Sequence, residues 1–317
     1  MSAERAFVYA KACGIIAKSF LESRLERLAE ISTLSDFEYC MEGRKDAPDS
    51  IISVMKAFPK PPEVLVRLVK SYEYADVKNI LSALKNGLEC PVFTKLGRFA
   101  GAKLSAFPNA RLMFHGTEYE FLLRHDLQSP DDDCGELAAL LDKHYYETLL
   151  DVLRRLPKNE APAFRYIITE EISLMNCAWA LRLRAYYGMP AEAVRERLID
   201  QKLENGGESL AKDAIKSLNL ALDHRPEWED WRRVRFLNIE SAGHFWKCDP
   251  RAFQNAASVY LYELARKNLR RRAFTLDTAA CFIRLKQFEE QVLNGVAEGL
   301  KLGTSAEEVL ALMRGAA

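Results

Sequence analysis

The sequence predicts an all-α protein built from three similar helical units. Apolar residues recur at three- and four-residue steps along almost the whole chain, and no convincing run alternates as a strand would. A pattern of amphipathic helix, glycine and short second helix also returns three times, at roughly hundred-residue intervals, as expected of related units placed side by side. Its clearest copy runs from Glu170 to Gly188 and continues from Pro190 to Ile199. The last runs from Glu289 to Gly303 and continues through Ser305, Glu307, Glu308, Val309 and Leu310, and the weakest from Glu73 through Asp76 and Asn79 to Gly87.

From Glu4 to about Ile31 the spacing of Phe7, Ala10, Cys13, Ala17, Leu21, Leu25 and Leu28 predicts one long amphipathic helix. Ser35 and Asp36 offer capping groups, and a loop with Gly43, Pro48 and Asp49 follows. Pro59 to Pro62 is a firm break. Helical spacing resumes at Glu63 and runs through Leu65, Leu68, Val69, Tyr72, Val77, Ile80, Leu81 and Leu84 to a stop at Gly87. A looser stretch from Leu88 to Pro108 ends the first unit, and the apolar pattern returns near Leu112 and Tyr119. Asp131 to Asp133 reads as a solvated turn or helix start before a metal site, since carboxylates favour helix N-termini.

Leu140 to Leu153 opens the middle unit as a strongly apolar helix, broken near Pro157 and Pro162 before the best repeat copy. Gly188 suits a left-handed C-terminal cap and Pro190 the first turn of the next helix, where its missing N–H costs nothing. Glu204 to Glu208 is a break, and Pro226, Trp228 and Trp231 open the last third. There Asp249 and Pro250 start a helix reaching Arg266, and Ser305 with Glu308 has capping-box spacing. The boundaries that follow are 1–110, 111–215 and 216–317.

Composition narrows the function. The 317 residues are 49% apolar and 28% charged, as in a well-folded soluble protein. Lysine plus arginine balances aspartate plus glutamate at 45 each, so no global field draws the chain to nucleic acid or an anionic membrane. A secretory signal and any apolar stretch approaching about 18 residues are both lacking, so the expected location is cytoplasmic, with membrane association only through a partner. Seven single cysteines, Cys13, Cys40, Cys90, Cys134, Cys177, Cys248 and Cys281, suit reduced structural thiols.

Candidate chemistry is sparse. His115, His125, His144, His224 and His244 sit in no metal spacing, and the glutamate three residues after His115 is not the paired Glu-x-x-His arrangement of a helical di-metal site. GxxxxGK[ST], GxGxxG and GxSxG motifs are missing, so the sequence offers no machinery for splitting ATP; a nucleophile assembled from distant parts of the chain would leave no such trace. The expectation is therefore no catalytic, cofactor-binding or metal-binding residue and no cofactor. Arg266 to Arg272 and Trp231 to Arg235 read as solvated faces or internal ion pairs before an acidic-partner or nucleic-acid patch. Arg182 and Arg184 have two readings, pairing with Glu170 or Glu171 or facing an axis, while Tyr186 and Tyr187 read as core aromatics closing the helix.

Several of these strings, in their order and spacing, resemble the C-type subunit of the bacterial and archaeal V-type (A/V-type) ATPases, the counterpart of the eukaryotic d-type subunit. They are Phe7 to Ala12, Phe20 to Glu30, Tyr72 to Leu81 with its aspartate-x-x-asparagine, Leu141 to Leu149, Glu171 to Met189, and the ending near Gly303. The resemblance spans essentially the whole chain. It departs at Ala12 to Ala17, where the family's opening arginines are missing, and at Gly295, which stands where the first copy has Asn79. The resemblance implies a funnel of three helical subdomains around a pseudo-threefold axis. It further implies a non-catalytic role linking central-stalk subunits of the D/F type to the membrane rotor-ring proteolipid, on the cytoplasmic face of the membrane. The residues that would touch these partners are unknown from the sequence. The alternative is an unrelated helical-repeat scaffold binding a peptide or protein on a concave surface.

Overall fold

A computed structural model describes residues 3–127, 134–204, 206–238 and 245–314, and among them there are helices and irregular segments but no strand. In chain order the helices are α1 (Ala3–Ile16), α2 (Phe20–Ser23), α3 (Leu25–Ala29), α4 (Leu34–Met41), α5 (Ala47–Met55), α6 (Glu63–Val69), α7 (Ser71–Asn86), α8 (Ala110–Phe114), α9 (Cys134–Arg155), α10 (Pro162–Tyr187), α11 (Ala191–Arg197), α12 (Lys212–Ser217), α13 (Pro250–Arg271), α14 (Leu276–Lys301) and α15 (Ala306–Arg314). The chain divides into two compact units, one of residues 1–57 and 156–317, the other of residues 58–155.

In the larger unit α13 packs on α10 and α14, and α14 also receives α1, α5 and α15. One apolar cluster centres on Trp228, Trp231 and Phe253, all at most 1% exposed, and a second joins Phe20 and Leu28 to Val292 and Val296 of α14. In the smaller unit α6 and α7 pack on α9, burying Leu65, Leu68, Val77, Ile80, Leu141 and Leu149.

The predicted N-terminal helix is broken into α1, α2 and α3, at residues 17–19 and again at Arg24. The Phe20 N–H donates to the Glu289 carboxylate at 2.8 Å instead of to a helical carbonyl, and the Ser19 hydroxyl accepts from the Glu22 N–H to cap a new helix. The buried face of α1 is also shifted from the predicted stripe: Val8, Ala12 and Ile16 are inside, whereas Phe7 is 55% exposed. Pro48 and Asp49 lie within the first turn of α5 rather than in a loop, and the α4 cap is Thr33, not Ser35. The run from Glu63 to Gly87 is two helices joined at Lys70. Pro162 is the first residue of α10, so that helix starts before the repeat pattern becomes visible, and Pro190 caps α11 from just outside it.

Each glycine stop holds. Gly87, Gly188 and Gly303 have φ of 60°, 58° and 81°, a region open to glycine at no steric cost. Gly188 N–H donates to the Arg184 carbonyl and Met189 N–H to the Leu183 carbonyl, closing α10. The Ser305–Glu308 box is reciprocal: the Glu308 N–H donates to the Ser305 hydroxyl at 3.2 Å and the Ser305 N–H to the Glu308 carboxylate at 3.0 Å. A short helix follows Gly188 and Gly303, but after Gly87 the chain runs without helix or turn from Leu88 to Leu96. The first repeat copy therefore lacks its second helix.

Candidate functional site

The strongest common feature of the three repeat copies is a buried glutamate on the long helix, standing 14 residues before Gly87 and Gly303 and 18 before Gly188. The offset of the middle copy is about one turn of helix. Glu73, Glu170 and Glu289 are 1%, 5% and 2% exposed, and each binds a segment distant in sequence. A buried carboxylate is costly unless its oxygens are filled with donors, so each glutamate fixes where that segment must lie.

Glu73 takes neutral hydrogen-bond donors, with the Lys70 ammonium 3.6 Å from its Oε2. Its Oε1 accepts the Gly101 and Ala102 N–H groups at 2.5 and 2.8 Å, and its Oε2 accepts the Tyr119 hydroxyl at 2.9 Å. One turn on, Asp76 accepts the Thr94 N–H at 2.8 Å; burial pushes its carboxyl up, against the opposing effect of the Thr94 hydrogen bonds. Beside them Glu118 bonds Arg67 and Lys70. Burial works to raise the Glu118 carboxyl, and these two cations outweigh it, leaving it below its ordinary range.

Glu170 takes a buried cation. Arg233 donates to it through Nη1 at 2.7 Å and Nη2 at 3.1 Å, to Ser173 Oγ at 3.0 Å and to Asp213 Oδ2 at 2.7 Å. Burial disfavours the Arg233 charge, but the Glu170 and Asp213 bonds more than compensate and its pKa rises. Two turns along α10, Asn176 bridges the Ile199 and Leu210 backbones. Glu289 accepts from Phe20 N–H, from Arg44 at 3.3 Å and from Lys286.

These contacts place the charged residues singled out in the sequence. Arg184 donates to the Ser217 and Leu220 carbonyls at 2.6 and 2.8 Å, so it closes α12 and pairs with neither Glu170 nor Glu171; Glu171 pairs with Arg284 at 2.9 Å. Arg182 is exposed. In the Trp231 to Arg235 cluster, Arg233 is the internal ion pair and Arg235 lies 4.6 Å over the Tyr260 ring, both structural. Arg266 and Arg270 face Glu22 at 3.6 and 3.5 Å, and Arg272 lies 3.8 Å from Asp277. Lys267 and Arg271 stay exposed beside a shallow hollow of about 480 Å³ lined in part by Tyr260 and Leu264.

Tyr186 and Tyr187 correct the reading as core aromatics. They are 51% and 70% exposed, because the αL turn at Gly188 redirects the chain before they can be covered. Cys177, Cys248 and Cys281 are buried and their thiols raised, Cys248 to about 12, by desolvation, which suits structural thiols. His115 bonds Glu120 and His224 bonds Glu227 at the surface, while His144 Nδ1 lies 2.7 Å from the Tyr74 hydroxyl. Among the described residues no group of three or more His, Cys, Asp or Glu could hold a metal ion. His244 and Asp131 to Asp133 lie outside the described residues. No helix among those residues is long and apolar enough to cross a membrane.

Buried carboxylates that hold loops against long helices define an all-α protein whose buried charges serve its architecture. The chain belongs to the ATP synthase (C/AC39) subunit family, whose sequence model matches residues 20–312. An uncharacterized protein of Treponema pallidum (strain Nichols) is 27% identical over 327 positions, covering 94% of this chain and 93% of that protein. The family match bears out the resemblance to the C-type subunit of V-type ATPases and removes the alternative of an unrelated scaffold. It also makes the chain a member of a V-type ATPase subunit family that is accessory, not catalytic.

Proposed function

We propose that the protein is the non-catalytic coupling subunit of the central rotor, seated between stalk subunits of the D/F type and the proteolipid ring. In this reading it lies peripherally on the cytoplasmic side of the membrane and passes torque between ATP turnover and ion movement. The observation that carries it is the family match over residues 20–312. The buried staples at Glu73, Glu170 and Glu289 support it, since torque passes only through helices that do not slide against their neighbours. The proposal includes three subdomains, at 1–110, 111–215 and 216–317, arranged as a funnel about a pseudo-threefold axis.

Deleting the gene in its host and assaying membranes tests this directly. ATP-driven ion transport should vanish while the detached soluble head continues to hydrolyse ATP, and the full-length chain should restore transport. Tight coupling retained in the deletion strain would sink the proposal.

A further inference from the structure

The chain between Gly87 and α8 is pinned at its ends and unused in its middle. Leu88 N–H donates to the Ala83 carbonyl at 2.9 Å, and Thr94 N–H to Asp76 at 2.8 Å. Between them the N–H groups of Glu89, Cys90, Val92 and Phe93 and the carbonyls of Glu89 to Phe93 make no hydrogen bond within the described protein, apart from the Cys90 thiol donating to the Pro91 carbonyl at 3.6 Å; Pro91 has no N–H to offer. Leu88, Cys90 and Val92 are exposed apolar side chains two residues apart, Leu88 at 60% and Val92 at 97%; Glu89 is exposed as well, and Pro91 and Phe93 are half-buried. Pro91 also biases Cys90 towards extended backbone.

The same stretch is strongly basic in a chain of zero net charge. Residues 85–115 hold Lys85, Lys95, Arg98, Lys103 and Arg111 against one acid, Glu89. Lys95, Lys103 and Arg111 are exposed and make no ion pair among the described residues. The backbone that carries Lys95 and Lys103 is held by α7 and by the end of α8. Asp76 and Glu73, one turn apart on α7, anchor Thr94 and the Gly101–Ala102 pair, and the Lys103 N–H donates to the Met113 carbonyl beside α8.

We propose that residues 88–93 form a docking strand that pairs, main chain to main chain, with an extended acidic segment of a partner protein, Lys95, Lys103 and Arg111 matching its charge. Fixed ends lower the ordering cost of such pairing, and alternate side chains would supply its specificity. A lipid surface could meet the cations, but it has no row of donors and acceptors for the free backbone. This inference stands apart from the rotor reading, because it concerns the chemistry of one segment and not which assembly supplies the partner.

The test uses the full-length protein and a short peptide alternating glutamate and valine. The peptide should slow hydrogen exchange of the amides between Glu89 and Phe93 and protect Cys90 from alkylation, both read by mass spectrometry. The same peptide N-methylated at alternate residues keeps its charge but loses two or three main-chain hydrogen bonds, so its affinity should fall roughly tenfold or more. A Lys95→Glu/Lys103→Glu/Arg111→Glu variant, altered only at exposed positions, should bind the unmethylated peptide more weakly by a similar factor. The proposal is overturned if the unmethylated peptide gives no protection, or if the methylated one binds as well. Equal protection of the segment by phosphatidylserine vesicles would overturn it in favour of a membrane surface.

Discussion

The larger unit closes its best repeat helix with a charge inside, and the smaller unit closes its own with backbone amides. On α10 the Glu170 carboxylate meets the Arg233 guanidinium, with Asp213 on the other side and Arg233 only 4% exposed. On α7 the Glu73 carboxylate accepts from two N–H groups of a loop and a tyrosine hydroxyl, with the partly exposed Lys70 ammonium further off at 3.6 Å. The repeat thus specifies where a buried acid stands and leaves its partner to be found elsewhere in the chain. A guanidinium with three acceptors fails as a set, because losing it strands two carboxylates; a loop held by amides fails locally.

Removing the cation should give the largest effect. Arg233→Met leaves Glu170 buried without a counter-charge and Asp213 with only Arg232, 4.0 Å away, for an expected loss of about 3–5 kcal/mol. Urea unfolding followed by circular dichroism measures it. Glu73→Gln should cost less, about 1–3 kcal/mol, since the amide oxygen still accepts from Gly101 or Ala102 while the amide nitrogen faces donors. Hydrogen exchange should show that second loss confined to the segment around Gly101 and to Tyr119. If Glu73→Gln destabilised the whole chain as far as Arg233→Met, the contrast between a global and a local staple would be wrong.

These partners also mark the limit of what the sequence discloses. The all-α class, the three glycine stops and the Ser305 box follow from spacing and capping chemistry, which act over a few residues and are written locally. Glu170 and Glu289 open the repeat copies, yet nothing near them in sequence points to Arg233, 63 residues on, or to the Phe20 N–H, 269 residues back. The break at Ser19 is hidden for that reason: the apolar steps continue through it, and the competing acceptor lies on α14. The basic cluster from Trp231 to Arg235 is visible, but nothing local tells that Arg233 is buried while Arg232 beside it is exposed. The same is true of the docking segment after Gly87, whose missing helix shows only in the backbone.

The glycine caps provide a control in which the two units should agree. A Cβ at Gly87 or Gly188 would meet nothing within 4 Å, so Gly87→Ala and Gly188→Ala carry only the backbone strain of a left-handed residue, roughly 1–2 kcal/mol each. Thermal denaturation of the two variants should give matched shifts. A larger loss at Gly188 would mean that α11, present after this cap and missing after Gly87, depends on the angle the glycine sets.

The smallest effect, and the one that separates the units by condition instead of by mutation, is acid. In the smaller unit His144 stacks against Phe121 and bonds the Tyr74 hydroxyl; burial, with Arg67 adding to it and Glu118 opposing, holds its imidazole below the ordinary 6.5. A depressed histidine binds fewer protons folded than unfolded, so its contribution is complete above 6.5 and is lost as pH falls through that value towards the folded one. Glu118, held below its ordinary 4.5, loses its contribution in the same direction but only at lower pH. The Arg233 guanidinium, raised further from neutrality, keeps its charge throughout the first of these windows. Lowering pH through 6.5 should therefore speed hydrogen exchange, corrected for the intrinsic rate, in α7 and α9 before α10 and α13. His144→Gln can keep a hydrogen bond to Tyr74 while removing the titration, and it should flatten that response. If α10 loosened together with α7, acid would be acting on the fold as a whole, and the contrast between the two units would lose its physical basis.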